Sequence, residues 1–165
     1  MIVAQARSPT FYRDYGAPDT VNGRFDMIVL HLVLVLRRLR EGSANVRPFG
    51  QQIFALFCRD MDHNFREMGM GDLAVPKAIR RVAEAFYGRA GVYESALAGD
   101  DAALEAALAR NVFGTPQPPL GARRLAAYMR DAARRLETQD LAGGDLRFPD
   151  PETFAAGDAR AEQMS

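Results

Sequence analysis

The sequence is poor in the residues from which most catalytic and metal sites are built. Cys58 is its one cysteine, which excludes an intramolecular disulfide and a cysteine-based zinc site and makes a reducing compartment the natural setting. His31 and His63 are its two histidines, so His-based catalysis has few places to live. No Ser-His-Asp order, phosphate-cradling Gly-rich loop or Walker pattern occurs, and Gly69-Met70-Gly71 is too short to hold a phosphate. Net charge is zero, whereas dedicated nucleic-acid-binding domains are usually basic. Lysine is nearly missing: Lys77 stands alone among 21 basic residues, the rest being arginine, the better interface cation. The opening MIVAQAR has neither the basic start nor the long apolar stretch of a secretory signal. What charge there is lies unevenly, with six Arg against three Asp in residues 1–40 and two Arg against six acids in 139–165.

What the sequence does have is one long apolar stretch, FDMIVLHLVLVLRRLRE, from Phe25 to Glu41. Met27 to Leu36 is apolar except for His31. A helix over about 24–41 places Phe25, Ile28, Val29, Leu32, Leu36 and Leu39 on one face at 3.6-residue spacing. Met27, Leu30 and Leu34 make a second apolar face on the other side. A helix apolar all round is buried centrally or sits in a membrane, and a full span needs about 20 apolar residues. The expectation is the spine of a helical domain, with the second face either covered by the chain itself or kept for a partner.

The rest reads as helices and turns, with no internal repeat and no useful strand-period run. Ile2 to Arg7 looks like the end of a helix whose start lies further upstream. Ser8-Pro9 reads as N-cap and first residue of a short helix, 9–15, closed by Gly16, and Asn22-Gly23 reads as a turn. Helices are expected over 48–68, 75–98, 101–113 and 120–138, with Gly42, Gly69 and Gly114 as stops and Asp100 as a cap. Ile53, Phe54, Phe57, Met61, Phe65 and Met68 form the expected stripe of 48–68, with Met61 and Met68 in the core. The fold class is therefore all-α, a single domain of five or six main helices over 1–149, followed by a flexible acidic tail over 150–165.

Two groups of residues are worth weighing for chemistry. Asp60, His63 and Glu67 lie along one helix edge, and the Asp-x-x-His spacing resembles half of a carboxylate-bridged di-metal site. No second copy exists, since Ile28 stands three residues before His31, and a solvated helix edge is the plainer reading. A small metal- or haem-handling protein using His63 or His31 is nonetheless the alternative from a different class, along with a plain helical interaction module. Arg37, Arg38 and Arg40 end their helix, where cations complement the dipole. Lys77, Arg80 and Arg81 lie near a helix start, where they do not, and so are better interface candidates.

The runs FDMIVLHLVLVLRRLR and FCRDMDHNFREMGMGDLAVPKAIRRVAEAFYGR resemble the ubiquinol–cytochrome c chaperone family, assembly factors of the cytochrome b-containing respiratory reductase. VAQARSPTFYRDYGAPDTVNGRFD resembles it too, so the likeness covers about residues 1–149. The resemblance implies an all-helical, non-enzymatic chaperone without a cofactor. Its client is newly made cytochrome b, with a small partner chaperone or the ribosome as further partners and no nucleic-acid readout. The implied location is the bacterial cytoplasm, with peripheral association at the inner face of the membrane. By position Asp60 to Lys77 is the signature, with Arg59, Asp60, Asp62, Arg66, Glu67, Gly69, Gly71, Asp72 and Lys77 as its polar and turn members. Those side chains with Met70, Arg80 and Arg81 are the candidate partner contacts, and Met27, Leu30 and Leu34 the candidate apolar client face. Two departures stand out: the family usually has more helix before Ile2, and Pro76 replaces an expected helix former.

Overall fold

A computed structural model describes residues 1–140 and 146–155. All its regular structure is helical: α1 (Ile2–Ala6), α2 (Pro9–Arg13), α3 (Val21–Glu41), α4 (Arg47–Glu67), α5 (Val75–Ala98), α6 (Asp101–Leu108), α7 (Leu120–Thr138) and the single turn α8 (Glu152–Ala155). A π-helical turn, Ala109–Phe113, prolongs α6 and ends at Gly114 in the left-handed region, φ +66°. Among the described residues no helix is long and apolar enough to cross a membrane.

α3 is the spine, packed by α1, α4, α5, α7 and the π-turn. It starts at Val21, earlier than the expected residue 24, because Thr20 caps it by accepting a hydrogen bond from Gly23 N at 3.0 Å. Asn22-Gly23 is thus the first turn of α3 and not a loop. Gly23 is there for close approach, since a Cβ would stand 1.9 Å from the Pro18 carbonyl oxygen.

Both apolar faces of α3 are largely buried. Met27, Leu30 and Leu34, the candidate client face, are at most 2 % exposed, so they are core and not a binding surface. His31 lies among them and faces α7: its Nε2 stands 2.8 Å from Tyr128 Oη. On the other face Val29, Leu32 and Leu39 are buried as well, while Phe25, Ile28 and Leu36 are half-buried. The cause is unequal cover. Nine residues of α7 are buried, against Phe57 alone on α4.

The hydrogen-bond directions around His31 are fixed by chemistry. The Met27 carbonyl can only accept, so Nδ1 donates to it at 2.7 Å and Nε2 accepts from the Tyr128 hydroxyl. Tyr128 Oη in turn accepts from Gln5 Nε2 at 3.0 Å, and Gln5 also donates to the Pro149 carbonyl at 3.0 Å. Both ring nitrogens are engaged, so this fully buried ring leaves no polar atom unpaired. Burial holds the imidazole neutral by pushing its pKa down to about 4.

The segment 146–155 closes this side. Phe148 meets the His31 ring edge-on at 5.0 Å, and Tyr15 Oη donates to the Pro151 carbonyl at 2.6 Å. Beyond residue 149, where the tail is expected to begin, Pro151 is buried and α8 packs on α7. Residues 156–165 of the expected tail lie outside the described residues.

Candidate functional site

α4 and α5 form a hairpin whose apolar side chains are too many for the core they reach. α4 stops in a Schellman motif, with Gly69 at φ +84°, Gly69 N bonded to Arg66 O at 2.9 Å and Met70 N to Phe65 O at 3.0 Å. Pro76 stands in the first turn of α5, where its missing N–H is no loss. Within the hairpin, Met61, expected in the core, is half-buried and packs against it. Met68 is 65 % exposed, a correction to the core position expected for it, because the chain turns away at Gly69 before Met68 can reach α3 or α5.

Between α3, α4 and α5 opens an apolar groove of about 450 Å³, lined by Val33, Leu36, Phe54, Phe86, Tyr87 and Ala90. Its floor is aromatic: Phe54 lies 4.9 Å from the Phe86 ring and 5.4 Å from Tyr87, whose side chain is 64 % exposed. Its rim is charged. Arg40 and Glu94 pair across it at 2.9 Å, and Arg47 stands at its α4 end. Phe54, Phe86 and Ala90 belong to stripes visible in the sequence, but Tyr87 does not. The readable signal is that Phe49, Leu56 and Tyr87 are large apolar residues off the stripes, and all three are more than half exposed.

Below the groove, α3 and α5 share a buried polar contact. Arg89 Nη2 lies 2.7 Å from Asp26 Oδ1, yet neither Asp26 Oδ1 nor Arg89 Nε makes an aligned hydrogen bond. Burial outweighs the nearby guanidinium and pushes the Asp26 carboxyl up to about 6.

The charged candidates gather at the far end of the hairpin. Arg59, Asp60, Asp62, Arg66 and Glu67 occupy the last turns of α4, Met70 and Asp72 the turn, and Lys77, Arg80 and Arg81 the start of α5. Arg66 clamps the tip, bonding Asp62 at 2.6 Å and also Asp72, so these three hold the turn together. Arg80 pairs with Glu84 at 3.1 Å on its own helix. Arg59, Asp60, Lys77 and Arg81 are exposed and carry no ion pair among the described residues. Met70 is half-buried. His63 is exposed and pairs with Glu67 at 3.1 Å, and among the described residues no three His, Cys, Asp or Glu side chains converge as metal ligands do. His31 could ligate only by giving up Tyr128 or Met27.

A family model described as "Ubiquinol-cytochrome C chaperone" matches residues 13–143. The chain is 27 % identical over 137 residues to ubiquinol-cytochrome-c reductase complex assembly factor 1 of Xenopus laevis, covering 82 % of this chain and 68 % of the frog protein. To the mouse protein of that name it is 26 % identical over 143 residues, 84 % of this chain and 48 % of the mouse one. The chain thus spans about half the length of the mouse relative. The crystal structure of the Cbp3 homolog from Brucella abortus superposes with a TM-score of 0.83 at 39 % identity, over 92 % of this chain and 86 % of that one.

Proposed function

The chain belongs to the ubiquinol–cytochrome c chaperone family, and from that premise we propose that it is a non-enzymatic assembly chaperone that holds newly made cytochrome b during biogenesis of the ubiquinol–cytochrome c reductase. The groove between α3, α4 and α5 carries this reading. A polytopic membrane protein exposes apolar helices before it is assembled, and they need a surface that shields them without one fixed shape. Large aromatic side chains lying partly uncovered provide such a surface. Phe54 and Tyr87 supply the apolar contact, while Arg40, Arg47 and Glu94 orient whatever enters. Cytochrome b is the client, and the unpaired charges Arg59, Asp60, Lys77 and Arg81 at the hairpin tip are the contact face for a second protein, a small partner chaperone or the ribosome. The setting is the cytoplasm of a bacterium, at the inner face of the membrane where the client is inserted.

The test is a deletion strain complemented with chains carrying a photo-crosslinking amino acid at Tyr87, at Arg81, or at Arg134 on the far helix α7. Deletion is expected to lower cytochrome b and leave the reductase unassembled while other respiratory complexes persist. Position 87 is expected to capture cytochrome b, and position 134 nothing. Normal cytochrome b in the deletion strain sinks the reading.

A further inference from the structure

α4 is attached to the rest of the fold in an unusual way. Of its 21 residues only Phe57 is buried. No side-chain hydrogen bond or ion pair joins it to another helix among the described residues: Arg47 bonds Gly42 O in the preceding loop, and Arg66 bonds Asp62 and the turn residue Asp72. The contrast with α7 and α5 is sharp. Arg38 on α3 donates to Leu136 O at the end of α7 at 2.7 Å, and Arg40 and Asp26 on α3 pair with Glu94 and Arg89 on α5.

What holds α4 is apolar packing alone, from Phe57 and the half-buried Ile53, Phe54, Cys58 and Met61. Phe57 stacks on Phe25 of α3 at 6.2 Å, and Phe54 meets Phe86 and Tyr87 of α5. Such contacts are non-directional and can be exchanged for equivalent ones. Its ends are held only locally: Arg47 bonds Gly42 O in the loop before it, and Arg66 bonds Asp72 in the Gly69–Gly71 turn after it, neither reaching α3 or α7. A helix with little buried surface and no polar tether opens at a free energy well below that of the whole fold.

We propose that α4 is a displaceable lid over the face made by α3 and α5. Lifting it bares Phe25, Ile28 and Leu36 of α3 with Val82, Phe86 and Ala90 of α5, all buried or half-buried when it is closed. That face is shaped for a helix, because in the closed state a helix of this chain lies on it. The occupant in the open state is an apolar helix of the client, a step that rests on the proposed chaperone function. Closed, the lid keeps the face from aggregating, and the groove at Phe54 and Tyr87 is where an entering helix begins to displace it.

Hydrogen exchange with mass spectrometry on the full chain tests the lid with no client present. Peptides from α4 are expected to exchange on the order of 100-fold faster than those of α3 and α7, well before global unfolding. Phe54→Ala is expected to speed α4 on the order of tenfold further and leave α7 unchanged. Where that variant does not fold, Tyr87→Ala, which trims the same contact from the exposed side, replaces it. Protection of α4 equal to that of α7, or a substitution that accelerates both helices together, overturns the lid. Neither result touches client capture, which the crosslink at position 87 decides separately.

Discussion

Acid should weaken this protein through His31, and a leucine at that position should remove the effect. The imidazole titrates near 6.5 in an unfolded chain, but burial lowers it to about 4 in the fold. Between those values the unfolded chain binds a proton that the folded one refuses. The contribution of His31 to stability is therefore full above about pH 6.5, falls as pH drops, and levels off below about 4. At 1.36 kcal/mol per pH unit the loss is about 2 kcal/mol by pH 5 and about 3 kcal/mol by pH 4. Asp26 works the other way. Its carboxyl is raised to about 6, so the folded state takes up a proton first and regains about 1 kcal/mol by pH 5. Wild-type stability thus changes little between pH 7 and 5, because two larger slopes oppose each other. The assay is urea unfolding of wild type and His31→Leu at pH 7, 6 and 5. Removing the ring lowers stability at every pH, but the wild-type advantage should shrink by about 2 kcal/mol from pH 7 to 5. Carboxylates on the surface are common to both proteins and cancel in the difference. A constant difference across that range would refute a neutral, buried His31.

Other outcomes follow from single contacts. Gly23→Ala and Gly121→Ala should each lower the melting temperature by several degrees, because the new Cβ would stand 1.9 Å from Pro18 O and 1.7 Å from Tyr15 O. Gly88→Ala and Gly91→Ala, at exposed sites of α5 with nothing within 4 Å, should stabilise by up to about 1 kcal/mol, as thermal melts will show. Asp100→Ala removes the acceptor that caps Ala103 N at 2.8 Å and should cost about 1 kcal/mol in urea unfolding.

Much of the fold is readable in the chain because its helix limits are written in local chemistry. Asp100 and Gly114 bracket α6 with its π-turn, Gly69 ends α4 in the left-handed region, and the stripe Leu125, Tyr128, Met129, Ala132 and Leu136 of α7 is wholly buried. What was not readable is which neighbour covers which face. α3 is apolar nearly all round, so periodicity could not say that Met27, Leu30 and Leu34 would meet the well-packed side and Phe25 the loosely covered one. The Asn22-Gly23 pair misled for a related reason. Its glycine answers a carbonyl from another segment, Pro18, and looks the same in sequence as a turn glycine. The groove escaped notice because its lining comes from three helices, and each helix alone shows only an ordinary stripe. Among the tip charges, Lys77, Arg80 and Arg81 stand out in the sequence as cations at a helix start and the others by resemblance, and the structure adds that Arg66, Asp62, Asp72, Arg80 and Glu67 are already paired.

The clasp around His31 has a consequence for synthesis. Gln5 and Pro149 stand 144 residues apart in the chain, yet Gln5 bonds both the Pro149 carbonyl and the Tyr128 hydroxyl that caps the buried ring, and Tyr15 bonds the Pro151 carbonyl nearby. While the chain is still emerging, α3 can gather α4 and α5 by local packing, but the His31 side stays open until residue 151 has left the ribosome. For that interval the central helix of the fold is only half enclosed. The fold therefore closes around His31 only after α3, α4, α5 and α7 have all been made.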